Sequence, residues 1–264
     1  MNKVIAFFSS KGGVGKTCSC ALLAHSMSEK GKKVLVIEMC QNTDIANNFG
    51  FDRFAFNGYT TLDWLTNEKE IEDVLVQVPD TTIEFIPATQ QIDELEIWAN
   101  RHMLRKQDEI LLRKLEVVKD QYDFILIDCH PSQGSFVSIV GLIASDFVYI
   151  PVGTDGNALS GAYKAAEIVL RLKEDGLNLN YSIVPTRLYG NSFGKAQRVY
   201  KKHISQWVKE GITSYCSQSI SDTRVIEDWT RQEMTYDQLK KHKTGKKVVK
   251  EFNNIADMFI GGVM

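Results

Sequence analysis

The chain has 264 residues, 44% of them hydrophobic and 24% charged, with a formal net charge of −2. That apolar share excludes wholesale disorder, and the near balance of charge excludes a surface coated in positive charge, so any nucleic-acid contact must come from a local patch. Five cysteines (Cys18, Cys20, Cys40, Cys129, Cys216) are an odd number without disulfide-framework spacing, and no apolar run is long enough for a signal-peptide core or a bilayer span. The expectation is an intracellular globular protein in a reducing compartment.

Val4 to Phe8 is a short apolar run ending in Ser-Ser and Gly-Gly, the pattern of a buried strand feeding a tight loop. Ala21, Leu22, Leu23, Ala24 and Met27 then repeat at helical spacing, and Gly31 supplies a helix stop. Val34 to Ile37 is a second buried strand, which completes a βαβ unit and predicts a parallel sheet. Further strands are expected at Ile83–Ala88, Phe124–Asp128, Phe147–Val152, Tyr181–Thr186 and Ser214–Ile220. Helices are expected over Leu104–Val118, with Leu104 facing inward, and over Ala162–Lys173 and Phe193–Glu210. A last helix carries Val248, Val249, Phe252, Ile255, Ala256 and Phe259 on one face. The alternation predicts one domain over 1–264, an α/β fold whose doubly wound, mostly parallel sheet has helices on both faces.

The stretch SSKGGVGKT carries the chemistry. A phosphate loop needs glycines so that backbone N–H groups can close on an anion, a lysine for the outer phosphates and a hydroxyl for a cation. Gly12, Gly13, Gly15, Lys16 and Thr17 meet those needs, and the helix that follows aims its positive dipole end at the phosphates. Ser10 stands where the strict pattern has glycine. Lys11 is a second lysine at the loop mouth; it cannot readily fold back to duplicate Lys16 and is free to reach phosphates held by another copy of the chain.

KGGVGKT resembles the deviant Walker A motif of the ParA/MinD family of P-loop ATPases, and YDFILIDCHPSQG is similar to that family's Walker B region. FVYIPVGTDGNALSG resembles the segment that follows, with Asp155 where an acidic residue is usual, and the likeness runs over about the whole chain. The resemblance implies a P-loop NTPase fold and ATP hydrolysis in an ATP–Mg²⁺ sandwich dimer. Nucleotide would be held by Lys11, Gly12, Gly13, Val14, Gly15, Lys16, Thr17 and Cys18, the metal by Thr17 and Asp128, and the base near Thr186 and Ser221. By the same resemblance the closest type is a ParA partition ATPase without an added helix-turn-helix domain, nucleoid-associated in the cytoplasm and released from DNA by a ParB-like partner.

One departure bears on catalysis. The family's Asp-x-Asp after the second strand reads Glu38-Met39-Cys40 here, so a neutral thiol replaces the carboxylate that helps position the attacking water. Three readings stand: slow hydrolysis, substitution by Glu38 or Asp44, or a shifted alignment. Lys11, Lys16, Glu38 and Asp44 are thus the candidate catalytic residues. Cys18, near a helix N-terminus, with Cys40 and Cys129 after strand ends on one side of the sheet, would be a redox-sensitive trio if its thiols were activated, against three small buried residues as the plainer alternative. His130, in place of a frequent family proline beside Asp128, reads as structural.

Late in the chain Lys240, Lys241, Lys243, Lys246, Lys247 and Lys250 form a basic run, with Arg187, Lys195, Arg198, Lys201 and Lys202 upstream. Together they are the candidate surface for DNA bound without sequence preference, against the alternative of a solvated helix face. The final helix reads as core rather than as a membrane-binding amphipathic segment, so no membrane partner is expected. A MinD-like membrane ATPase and a nucleotide-gated scaffold with little turnover are the rivals.

Overall fold

The computed structural model describes residues 3–42, 44–131, 134–187, 195–211 and 219–264, with the side chains of 195–201 outside that description. Among the described residues a seven-stranded sheet runs in the order β3-β4-β2-β5-β1-β6-β7, where β1 is Lys3–Phe7, β2 Val34–Met39, β3 Val76–Gln77, β4 Ile83–Ile86, β5 Phe124–Cys129, β6 Phe147–Val152 and β7 Asn180–Pro185. Every pairing is parallel except β3 with β4, a short antiparallel edge. This is the expected mostly parallel, doubly wound sheet.

Alternation along the strands divides the core in two. Val4, Ala6 and Phe8 join one apolar cluster with Leu35, Ile37, Ile125, Ile127, Val148 and Ile150. Ile5 and Phe7 join the other with Val34, Val36, Leu126, Phe147 and Tyr149. Successive side chains of a strand point to opposite faces, and a sheet covered on both faces needs both sets apolar. The helices are α1 (Lys16–Glu29), α2 (Asp44–Asn48), α3 (Thr61–Leu65), α4 (Ile71–Val74), α5 (Glu94–His102), α6 (Ile110–Val118), α7 (Phe136–Ile143), α8 (Gly156–Glu174), α9 (Lys195–Lys209), α10 (Arg224–Thr230), α11 (Tyr236–Lys241) and α12 (Gly245–Ile260). Residues of α1, α2, α10, α11 and α12 cover the face of Ile5 and Phe7, while α3 to α8 cover the other.

Several sequence expectations are corrected. The helix expected from Leu104 begins at Ile110, preceded by a 3₁₀ turn over Gln107–Glu109, because Lys106 takes a left-handed φ of 56° that breaks helical continuation. Leu104 is accordingly fully exposed rather than inward. The helix expected at Ala162 starts at Gly156, where the Asp155 side chain accepts from Ala158 N (2.9 Å) and caps it. Of the strand expected at Ser214–Ile220, Ile220 donates its N–H to the Pro185 carbonyl (2.8 Å) and residues 214–218 lie outside the described residues, as does Phe193. The stop after α1 is where expected, with Gly31 at φ 73°.

The apolar stripe of α12 is buried as read: Val248, Val249, Phe252, Ile255, Ala256 and Phe259 all join the cluster that holds α1. Among the described residues no helix is long and apolar enough to cross a membrane.

Candidate functional site

The loop between β1 and α1 wraps the N-terminus of α1 at the C-terminal edge of the sheet, the usual ligand edge of an open parallel sheet. Two of its glycines are needed for the turn itself: Gly13 has φ 73° and Gly15, which precedes α1, has φ 91°. Lys16 is buried, 6% exposed, and donates from Nζ to the Lys11 carbonyl (3.2 Å), so its ammonium curls back into its own loop. Burial pulls its pKa down from the usual lysine value, opposed by the Asp128 carboxylate.

Asp128 lies near the end of β5, whose central position in the sheet makes it fully buried. Neither carboxylate oxygen has a hydrogen-bond partner. Burial pushes its pKa up to about 7, opposed by the Thr17 hydroxyl and the Lys16 ammonium nearby. An orphaned carboxylate facing a threonine hydroxyl at the foot of a phosphate loop is a donor set that fits a hard divalent cation completed by phosphate and water oxygens. Among the described residues no cluster of three or more His, Cys, Asp or Glu could hold a metal.

The cleft over the loop has a volume of about 310 Å³ and is lined by Gly12, Gly13, Gly15, Lys16, Thr17 and Cys18 on one side and by Cys40, Asn42, Asp44, Asn48 and Pro131 on the other, with Arg187 and Thr230 at its wall. Two further cavities adjoin it. One, about 310 Å³, holds Lys11, Gly12, Gly13, Val14, Gly153, Thr154, Asp155 and Arg187. The other, about 120 Å³, is a slot between Thr186, Ser221, Ile226 and Phe252, floored by Val14, Gly15 and Cys18. Thr186, 3% exposed, donates its hydroxyl to the Val14 carbonyl (3.0 Å) and so pins β7 to the loop. Ser221 is held by Glu251 of α12 through its N–H (2.8 Å) and its hydroxyl (2.6 Å).

Lys11 does not line the cleft that Lys16 enters. Its Nζ meets Asp155 Oδ1 at 2.7 Å, and the close approach of its backbone to α8 depends on Gly161, where an added Cβ would sit 2.9 Å from the Lys11 Cβ. The bridge holds the Asp155 carboxyl below its usual pKa.

The two candidate water-positioning carboxylates separate. Glu38 is fully buried, with Oε1 accepting from Ile45 N (3.1 Å) and Oε2 from Ala88 N (2.9 Å). It ties α2 and the end of β4 to β2 and does not line the cleft, so as a catalytic candidate it is replaced by a structural strut. Asp44 does line the cleft, half-buried, with Arg53 3.7 Å away. Burial raises its pKa.

The thiols are not an activated trio. Burial pushes Cys18 and Cys40 up to about 12, and Cys20 and Cys129 upward as well, so the helix N-terminus does not make Cys18 a thiolate. Cys129 belongs to the opposite face of the sheet, against Gly141 of α7, whereas Cys40 opens to the cleft. His130 meets the Gln41 side chain at 2.8 Å and links the loops after β2 and β5.

The basic run is divided too. Lys240 is engaged by Glu29 (2.8 Å) and Asp237 (2.9 Å), which removes it from the free cations. Lys241, Lys243, Lys246, Lys247 and Lys250 are exposed along α11, α12 and the turn between them. Arg187 stands on the cleft wall, and the side chains of Lys195, Arg198 and Lys201 lie outside the described residues. Sequence reasoning missed Asn42, Asn48, Pro131 and Thr230, residues with no motif that come to the cleft only through the fold.

Comparison with known proteins gives the family and the fold. A family profile described as an AAA domain matches residues 2–183. The chromosome-partitioning ATPase Soj of Treponema pallidum is 34% identical over 206 residues, 76% of this chain and 78% of the relative. The sporulation initiation inhibitor protein Soj of Bacillus subtilis is 34% identical over 183 residues, 69% and 70% of the two chains. Among solved structures, a plasmid partition protein of Borrelia burgdorferi bound to AMPPNP superposes with a TM-score of 0.79 at 22% identity, covering 99% of this chain and 100% of that one. The apo McdA of Cyanothece superposes with a TM-score of 0.81 at 19% identity, covering 96% and 99%. At such identities the likeness of structures speaks to the fold alone.

Proposed function

This chain belongs to the ParA/MinD family of P-loop ATPases, and on that premise we propose that it is a ParA-type partition ATPase, a switch whose ATP-bound dimer holds DNA without sequence preference. The observation that carries the reading is the division of labour between two lysines. Lys16 is buried in the cleft of its own loop, while Lys11 stands outside it, seated on α8 and bridged to an exposed carboxylate. A cation held at the mouth by a single surface ion pair can be transferred to a neighbour's phosphates at little cost, since such pairs contribute about 0.2–1 kcal/mol.

ATP would lie along Gly12 to Cys18, with its base in the slot beside Thr186 and Ser221, and Mg²⁺ would be held by Thr17 and Asp128. The metal supplies charge neutralisation to the transferring phosphoryl group. Lys16 and the loop N–H groups bind and orient the phosphates. Asp44, the cleft carboxylate on the side opposite the loop, is the best-placed group to orient water, and the neutral thiol at Cys40 makes hydrolysis slow. Exposed Lys241, Lys243, Lys246, Lys247 and Lys250 supply the phosphate-neutralising surface. A ParB-like partner then triggers release, which requires that it bind the nucleotide states with different affinity.

The membrane-acting alternative loses its main support because the apolar face of α12 is spent on the core. Binding of the purified chain to DNA with ATP, ADP and no nucleotide, across a salt series, tests the proposal. Binding that needs ATP, falls steeply with salt and weakens in Lys246→Glu/Lys247→Glu supports it. Salt-insensitive or nucleotide-independent binding refutes it.

A further inference from the structure

Arg187 is the only described residue that lines all three cavities around the phosphate loop. It follows Thr186, whose N–H donates to the Val152 carbonyl (2.8 Å) and whose hydroxyl donates to Val14 (3.0 Å), so its Cα is fixed relative to both the sheet and the loop. Its backbone is left-handed, φ 58°, a conformation glycine adopts at little cost and arginine only under strain. Its side chain is exposed, and among the described residues no carboxylate lies within ion-pair distance of it. The charge nevertheless bears on the site, because it opposes the burial that raises the Cys18 thiol on the first turn of α1.

A strained non-glycine backbone at the junction of three cavities points to a functional role for the side chain it carries. Any phosphate chain running from the base slot to Lys16 passes this junction. A planar guanidinium with several donors and a permanent charge is the group suited to grip it. We infer that Arg187 is a phosphate-binding residue that clamps the nucleotide from the wall beside the phosphate loop, rather than part of a nucleic-acid surface. Because it also lines the cavity of Lys11 and Asp155, the clamp puts the phosphates in touch with the mouth where Lys11 is held. The inference rests on the nucleotide reading above and adds a contact that no part of the loop motif supplies.

The backbone strain gives the test a readout that a structural role would not produce. Arg187→Gly removes the guanidinium and the strain together, so the melting temperature of the ligand-free protein is expected to stay level or rise while affinity falls. Titration calorimetry with ATP, ADP and AMP in Mg²⁺ should show ATP and ADP binding weakened about 10- to 100-fold, the range for losing a charge-assisted contact, and AMP binding weakened less. Arg187→Lys should recover part of the loss, and Arg187→Gln, which keeps length without charge, should not. ATP affinity within twofold of wild type in both the glycine and glutamine variants overturns the inference, as does a loss confined to DNA binding. Wild-type protein that binds no ATP overturns this inference and the nucleotide reading together, whereas loss of the Arg187 effect alone leaves that reading standing.

Discussion

Replacing Asp155 by asparagine isolates the charge that holds Lys11. Asp155 has two jobs: its carboxylate meets Lys11 Nζ at 2.7 Å, and it accepts from Ala158 N at 2.9 Å to cap α8. Asparagine caps a helix about as well as aspartate, so Asp155→Asn keeps the second job and removes the charge from the first. With the two side chains 34% and 60% exposed, the bridge contributes about 0.2–1 kcal/mol. If Lys11 must leave Asp155 to cross a dimer interface, each dimer breaks two such bridges, about 0.4–2 kcal/mol in all, which is about 2- to 30-fold in the dimerisation constant. Sedimentation equilibrium in a nonhydrolysable ATP analogue should therefore find Asp155→Asn dimerising more tightly by that factor, while the melting temperature of the ligand-free protein falls by about 4 °C at most. Raising the salt should narrow the gap, because an exposed bridge is screened. Equal or weaker dimerisation of the variant would show that Asp155 does not compete for Lys11, and would remove the main support for a lysine in transit.

Three further outcomes are expected. Glu38→Ala strips two buried backbone N–H groups, those of Ile45 and Ala88, of their acceptor, and should lower stability in urea unfolding by about 2–6 kcal/mol; a loss below 1 kcal/mol would return Glu38 to the catalytic candidates. Cys40→Asp restores a carboxylate to the cleft and should raise steady-state phosphate release about tenfold or more, at some cost in stability beside the buried Asp128; unchanged turnover would mean that Cys40 does not limit hydrolysis. His25, 6% exposed and stacked on Tyr236 at 3.9 Å, has its pKa lowered to about 3 by burial. Below pH 6.5 the unfolded chain takes up a proton that the folded one refuses, so His25 removes stability as pH falls from 6.5 toward 3, about 2 kcal/mol by pH 5. His25→Phe should lack that component of the pH slope, and parallel slopes in the two proteins would contradict it.

The phosphate loop was legible because its chemistry is contiguous: glycines, lysine and hydroxyl sit within one turn between a strand and a helix, and local backbone geometry suffices to arrange them. The central strands were legible because a parallel sheet covered on both faces requires unbroken apolar runs. The short helices α2, α3, α4, α10 and α11 escaped notice, since four to seven residues hold too little periodicity to register. Leu104 misled for a related reason, as an apolar residue in helical phase with α6 but cut off from it by the left-handed Lys106.

The sequence by itself determined the class of fold, the anion-binding loop and the presence of a second lysine at its mouth. Tertiary structure decided what each charged group is for. It spent Glu38 on backbone donors of two other elements, paired Lys240 with Glu29, brought Asp155 to Lys11 from 144 positions away and set Arg187 over the cleft beside a threonine that bonds across 172. A side chain's charge is local to the chain, but its solvation and its partners depend on which distant segments the folded sheet brings beside it.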